Sequence, residues 1–293
     1  MGANAAVSFI GLGQIGQPMA TRLAGWPGGL TVYDISQERV QALVAAGAKA
    51  AVTLGDVATS AQIISVMVRD DDQVREVVAE VAGAVPPGTA PGGAPVVIAI
   101  HSTIGPDTAA ELAQRYGGSG IEIVDAPVSG GSMGAADGRL AVMFGGSREA
   151  YERCREPFGC FADLIMYMGP VGNGTRAKLA RNLLHFVAFT AAAEAERLAE
   201  AAGLDLRKLA KVVRHSDAVT GGAGSIMLRP VTAPLDDADA LRPILANVAA
   251  LGEKDLSLAL DLGDRLGVDL PMARYALAHF AAGLGLPARE DTP

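Results

Sequence analysis

The chain has 293 residues, of which 50% are hydrophobic and 19% charged, with 24 basic against 32 acidic side chains and a net charge of −8. That length exceeds one typical domain and favours two, and the composition excludes a disordered chain. An acidic protein without any block of Lys or Arg is a poor match for nucleic acid or an anionic membrane surface. Asp, Arg and Gly interrupt every apolar stretch before it reaches the length of a bilayer span. The start, Met1 to Ala6, lacks the basic residue of a signal peptide, so the expectation is a cytoplasmic protein with no membrane partner. Cys154 and Cys160 are too few and wrongly spaced for a disulfide framework or a zinc site, and read as small apolar filler.

In chain order, short runs rich in Val, Ile and Leu at 7–10, 30–33, 63–68, 96–100, 121–124 and 140–144 read as strands buried on both faces of a parallel sheet. Helical patterns at 14–24, 37–46, 71–82 and 106–116 fall between them. This alternation predicts a doubly wound, Rossmann-like α/β domain with right-handed crossovers. Residues 83–95, with four prolines and four glycines, read as a surface loop. After Gly169-Pro170 strand-like runs cease. A stretch almost free of helix breakers, about 174–202, predicts one interdomain helix on the order of 40 Å long, closed by Gly203. Further helical patterns lie at 206–215, 242–262 and 272–283. The expected organisation is therefore an α/β domain over 1–169 and an all-helical domain over 170–293.

The first strand runs into Gly11-Leu12-Gly13-Gln14-Ile15-Gly16 and then a helix. In such a G-x-G-x-x-G loop, Gly11 permits the turn, Gly13 lets backbone approach a pyrophosphate and Gly16 packs helix on sheet. The helix N-terminus then offers N–H groups and a positive dipole end to the phosphates. Asp34, eighteen residues after Gly16, ends the second strand. A carboxylate there accepts the ribose hydroxyls and repels a 2′-phosphate, which points to NAD rather than NADP. An acid capping the following helix would leave the same trace.

A second glycine-rich segment, Asp125-Ala126-Pro127-Val128-Ser129-Gly130-Gly131-Ser132-Met133-Gly134-Ala135, offers a hydroxyl and consecutive N–H groups that can grip a small carboxylate. Spacing alone fits a flexible loop equally well. On the long helix Lys178 and Asn182 share a face at i and i+4, with Gly174 one turn earlier leaving room for a ligand. A lysine among Ala, Leu and Val is partly desolvated, so its pKa falls and it becomes a usable proton donor and acceptor. A lysine snorkelling to solvent fits the same pattern. His101, His185, His215 and His279 show neither metal spacing nor a catalytic neighbour and read as structural.

Together these residues resemble the β-hydroxyacid dehydrogenase family, of which 3-hydroxyisobutyrate dehydrogenase is a type. Four blocks in the family's order carry the resemblance: Gly11 to Ala20, Asp125 to Ala135, Gly174-x-x-x-Lys178-x-x-x-Asn182 and Lys254-Asp255-Leu256, with Gly267 to Met272 behind them. The resemblance implies a Rossmann-like domain joined by a long helix to a helical one, with assembly as a homodimer or homotetramer. It implies Lys178 as general acid/base, Asn182 holding substrate and lysine in register, and Ser129, Gly130 and Gly131 binding the substrate carboxylate. Val68 and Thr103 would line the cofactor side, Lys254 would close over the cofactor, and Asp255 would support it. The implied activity is NAD-dependent interconversion of a short 3-hydroxy acid and its semialdehyde or keto form.

The chain departs from the family pattern at three places. Val68-Arg69 replaces a usual Leu-Pro, Ile100 stands where an acid is usual, and Asn247 replaces a bulky aromatic seven residues before Lys254. A polar Asn247 at a substrate wall would favour a more polar substrate than a methyl-branched one. Two alternatives stay open: a reductase of glyoxylate, tartronate or succinic semialdehyde on the same scaffold, and a dinucleotide-binding protein without catalysis.

Overall fold

The computed structural model describes residues 5–85, 94–118 and 120–287. In chain order these form β1 (Val7–Ile10), α1 (Gly16–Leu23), β2 (Leu30–Tyr33), α2 (Gln37–Ala45), β3 (Lys49–Ala50), α3 (Leu54–Ser60), β4 (Ile63–Val66) and α4 (Asp71–Ala84). Then come β5 (Val96–Ile100), α5 (Thr108–Tyr116), β6 (Ile121–Asp125), β7 (Val128–Ser129), α6 (Gly131–Asp137), β8 (Leu140–Gly145), α7 (Arg148–Phe158) and β9 (Ala162–Gly169). Helices α8 (Asn173–Ala201), α9 (Leu206–Thr220), α10 (Arg242–Leu266) and α11 (Pro271–Gly283) complete the chain, with a short 3-10 turn at Gly222–Ile226. Most of the loop read at 83–95 lies outside the described residues. The chain divides into two compact units, Met1–Arg181 and Asn182–Pro293, so that α8 begins in the first and ends in the second.

The first unit is the expected Rossmann-like α/β sheet. Its strand order is β3-β2-β1-β4-β5-β6-β8-β7, with β9 on the other side of β8. Strands β1 to β6 pair in parallel. Successive side chains of a strand point to opposite faces, and the sheet uses both. Phe9, Val97 and Ala99 join Met19, Leu23, Val40 and Phe158 on one face, whereas Ile10, Ile98 and Ile100 join Val57, Val78 and Leu112 on the other. Among the covering helices, α3 and α4 start at side-chain caps: Thr53 and Asp56 form a capping box at α3, and Asp70 caps α4 through Gln73 N–H at 3.0 Å.

One strand runs against expectation. The apolar run at 140–144 is β8, but it is antiparallel to β6 and β7. Between β6 and β8 the chain forms β7, itself an antiparallel partner of β8, and the seven-residue α6, so β8 returns alongside the chain that has just left β6. Strand β9, absent from the sequence reading, restores parallel pairing beyond β8.

His101 ties the strands together. It is buried, its Nδ1–H donates to the Ala126 carbonyl at 2.8 Å, and Nε2 accepts from the Ser65 hydroxyl at 3.0 Å. Phe9, Phe158 and Phe161 surround the ring, which agrees with a structural role.

In the second unit, α10 and α11 pack around Leu235, Leu245, Ala249 and Leu284. Glu194, on the part of α8 in that unit, is buried and accepts the Met272 and Ala273 N–H groups at 2.8 and 3.1 Å, capping α11. No helix among the described residues is long and apolar enough to cross a membrane.

Burial holds the His101 pKa down to about 4, against 6.5 for the free side chain. The unfolded chain therefore takes up a proton that the folded one refuses, and stability contributed by neutral His101 is lost as pH falls from 6.5 to about 4. Urea denaturation should show an acid-limb slope worth on the order of 3 kcal/mol that is absent in His101→Gln; an equal slope in both proteins would contradict this.

Candidate functional site

Parallel strands bring their carboxyl ends to one edge, and the chain leaves the sheet there in register. Gly11 N–H donates to the Tyr33 carbonyl at 3.0 Å, Met67 N–H to Ile10 at 2.9 Å, His101 N–H to Val66 at 2.8 Å and Ala126 N–H to Ile100 at 2.8 Å. The order reverses about β1, between β2 and β4, which is where open α/β sheets form a ligand crevice. The loops carrying Gly11 to Gly16, Asp34, Val68, Thr103 and Ser129 to Gly131 all leave from this edge.

The glycine loop has the shape its sequence predicts. Gly11 has φ +90°, and a Cβ there would overlap the Met67 carbonyl; one on Gly16 would overlap the Gly11 carbonyl. By contrast, a Cβ on Gly13 would meet nothing within 4 Å, so this backbone faces open space. Leu12 is buried and Gln14 exposed. No side chain caps α1 at Ile15, leaving the helix start to an external acceptor.

Asp34 is buried, with Oδ2 accepting Leu12 N–H at 2.6 Å and Oδ1 accepting Ser36 N–H at 2.7 Å; Arg39 stands at 4.0 Å. Ser36, not Asp34, occupies the cap position of α2. A carboxylate has about four acceptor positions, so two remain for ribose hydroxyls. The open cradle at Gly13, the uncapped helix and this acid together fit a dinucleotide.

Two further loops continue the edge. Val68 N–H donates to the Ser102 hydroxyl at 3.0 Å, and that hydroxyl donates to the Val68 carbonyl at 2.7 Å, clasping the β4 and β5 exits. Thr103 beside them is exposed. Ser129 is half-buried, whereas Gly130 and Gly131 are exposed with positive φ, followed by the 80% exposed Met133. Of the departures, Ile100 is core, and Arg69 is 81% exposed and paired with Asp70 at 3.3 Å.

Lys178 is 8% exposed. Burial, then the nearby Arg181 guanidinium, lowers its pKa from 10.5 to about 8. Gly174 plays a different part from the one expected. A Cβ there would overlap the carbonyls of Met143 and Asp125, so this glycine seats α8 on strand backbone and leaves no ligand space. Asp125, whose residue type and spacing carry no sign of this role, supports the seat: Oδ1 accepts Gly172 N–H at 2.7 Å and Oδ2 accepts Thr175 N–H at 2.5 Å.

Asn182 lies one turn beyond Lys178, at the start of the second unit. Asn247, Lys254 and Asp255 belong to α10 of that unit; all three are exposed, and Lys254 Nζ pairs with Asp255 at 2.6 Å. Cys154 is buried, which raises its thiol pKa, and no group of three metal-ligating side chains occurs among the described residues.

Comparison with known proteins bears on the family and the fold. The family profile described as the NAD binding domain of 6-phosphogluconate dehydrogenase matches residues 6–169, and that described as NAD-binding of NADP-dependent 3-hydroxyisobutyrate dehydrogenase matches 172–291. The chain belongs to the β-hydroxyacid dehydrogenase family. It is 54% identical to an oxidoreductase of Mycobacterium tuberculosis, covering 98% of this chain and 96% of the relative. It is 35% identical to the NAD-dependent L-serine dehydrogenase of Pseudomonas aeruginosa, covering 93% and 90%. A crystal structure of an oxidoreductase from Mycobacterium avium superposes with TM-score 0.91 at 52% identity, covering 97% of this chain and 99% of that one. The protein is thus an oxidoreductase with an NAD(P)-binding domain.

A buried ammonium without compensation opposes folding. With pKa about 8 in the fold and 10.5 unfolded, the penalty is full below pH 8 and fades as pH rises to 10.5. Lys178→Met should therefore raise unfolding stability at neutral pH by on the order of 1–3 kcal/mol, with the gain vanishing at high pH. A loss of stability at pH 7 would show that the amine is better solvated than its burial indicates.

Proposed function

We propose that this protein is an NAD-dependent dehydrogenase interconverting a short 3-hydroxy acid and its semialdehyde or keto form, with Lys178 as general acid/base. The observation that carries the reading is Lys178, a residue only 8% exposed, whose pKa near 8 suits proton exchange around neutrality. The Pseudomonas relative's substrate, L-serine, is itself a 3-hydroxy acid and supports the substrate class.

Bound nicotinamide dinucleotide supplies the hydride chemistry. In oxidation neutral Lys178 takes the hydroxyl proton of the substrate, and in reduction its ammonium returns that proton to the carbonyl oxygen. Asn182 holds the substrate against the amine, while Ser129 and the N–H groups of Gly130 and Gly131 hold the carboxylate. Gly11 to Gly16 receive the pyrophosphate, Asp34 the ribose hydroxyls, and Val68 and Thr103 flank the cofactor. On the family pattern, Lys254 and Asp255 add cofactor contacts and Asn247 a substrate contact. In this reading residues 1–169 bind cofactor, and 170–293 serve substrate and assembly. NAD is preferred because Asp34 repels a 2′-phosphate.

The second unit leaves Phe186, Phe189, Val212, Val213 and Tyr275 exposed. A helical surface this apolar supports assembly as a homodimer or homotetramer.

Oxidation of L-serine and 3-hydroxyisobutyrate should be faster with NAD than with NADP, and equal or greater NADP turnover would overturn the preference. Lys178→Ala should lower turnover by on the order of 10²-fold or more while NADH still binds. The oxidation rate of the natural sequence should rise with pH through about 8, and the reduction rate should fall over the same range. Intact turnover in the alanine variant would refute the assignment.

A further inference from the structure

Asp125 is fully buried where β6 ends, and both its oxygens are committed to the start of α8. Two glycines make the space it needs. A Cβ on Gly145 would overlap Oδ1, and one on Gly174 would stand 3.1 Å from Oδ2. The Thr175 N–H that Oδ2 holds lies three residues, about one helical turn, before Lys178. The same strand exit leads in four residues to Ser129. Between them, Ala126 is held from both sides, its N–H by the Ile100 carbonyl and its carbonyl by His101. One carboxylate therefore joins the helix that carries the lysine to the chain that carries Ser129, Gly130 and Gly131. Its negative charge also sits at the positive end of the α8 dipole, which strengthens the clamp.

We infer that Asp125 is a positioning residue, fixing the height and rotation of the first turns of α8 so that the Lys178 amine and the Ser-Gly-Gly loop keep one mutual geometry. This rests on the reading of Lys178 as the proton-transfer group. Helix capping alone would require only the cap. The geometric claim adds that shifting the seat moves the lysine, and a misplacement on the order of 1 Å costs about 10²-fold in rate.

The test uses the whole protein and two variants. Asp125→Asn places an amide where two N–H donors converge, and Gly174→Ala leaves Asp125 intact while pushing α8 off the Met143 carbonyl. Two readouts apply: kcat with NAD and L-serine or 3-hydroxyisobutyrate, and the pH dependence of reductive methylation at Lys178, followed by peptide mass spectrometry without cofactor. Both variants should bind NADH as the unaltered protein does. Both should lose tenfold or more in kcat, and in both Lys178 should methylate faster, with its pH midpoint moved from about 8 toward the ordinary lysine value. A folded variant with unchanged kcat and an unchanged Lys178 midpoint would overturn the inference. So would failure of both variants to fold, which would assign Asp125 to the fold alone. Lys178→Ala serves as the control: retained turnover there sinks the acid/base reading itself, whereas its loss beside an unaffected Asp125→Asn sinks only the positioning role.

Discussion

Direct contact between a helix and the backbone of the sheet or its exit turn, closer than any Cβ permits, is the constraint on which this structure rests. It occurs where Gly16 of α1 meets the Gly11 carbonyl, and again where Gly174 of α8 meets the carbonyls of Met143 and Asp125. Neither contact is chemical in itself. The first holds the turn after β1 tight, leaving Gly13 facing open space; the second holds α8 on the sheet and, with it, the helix turn that carries the mostly buried Lys178. Any side chain at Gly16 or Gly174 would move a whole helix, because a helix responds to a local overlap as a rigid body.

The buried ionisable groups fall into contrasting classes. Asp34, Asp125 and Glu194 each accept two backbone N–H groups, so their desolvation is offset by directed dipoles. His101 avoids the cost by remaining neutral between Ser65 and Ala126. For Lys178 neither remedy is seen among the described residues, and its charged neighbour Arg181 has the same sign. Stability alone gives no reason for a lysine there, and perturbed groups of this kind concentrate at functional sites.

Much of the first unit is legible because its central strands are buried on both faces and appear as unbroken apolar runs, as in Ile63–Val66 and Val96–Ile100. Strand β9, not among the expected strands, is an apolar run as well, Leu164-Ile165-Met166-Tyr167-Met168, and its Leu164, Met166 and Met168 lie exposed at the sheet edge. The direction of β8 is unreadable, since an apolar run carries no sign of which way its partner travels. The shape of the glycine loop and the burial of Lys178 are legible because spacing and local context suffice. The role of Asp125 is not, because its partners lie 47 and 50 residues away and are backbone groups, which leave no mark in residue type. Gly174 is misread as empty space because a missing side chain can serve a ligand or a strand equally well. The structure distinguishes the two.

The bond from Leu12 N–H to Asp34 has a consequence for how nucleotide choice could evolve. The carboxylate that would face the sugar also braces the turn beneath the phosphates, so one side chain serves both recognition and architecture. Replacing it to admit a phosphorylated sugar would slacken that turn at the same stroke. A change of nucleotide preference is thereby steered to neighbours such as Ile35, 93% exposed, and Arg39, which can change without loosening the loop.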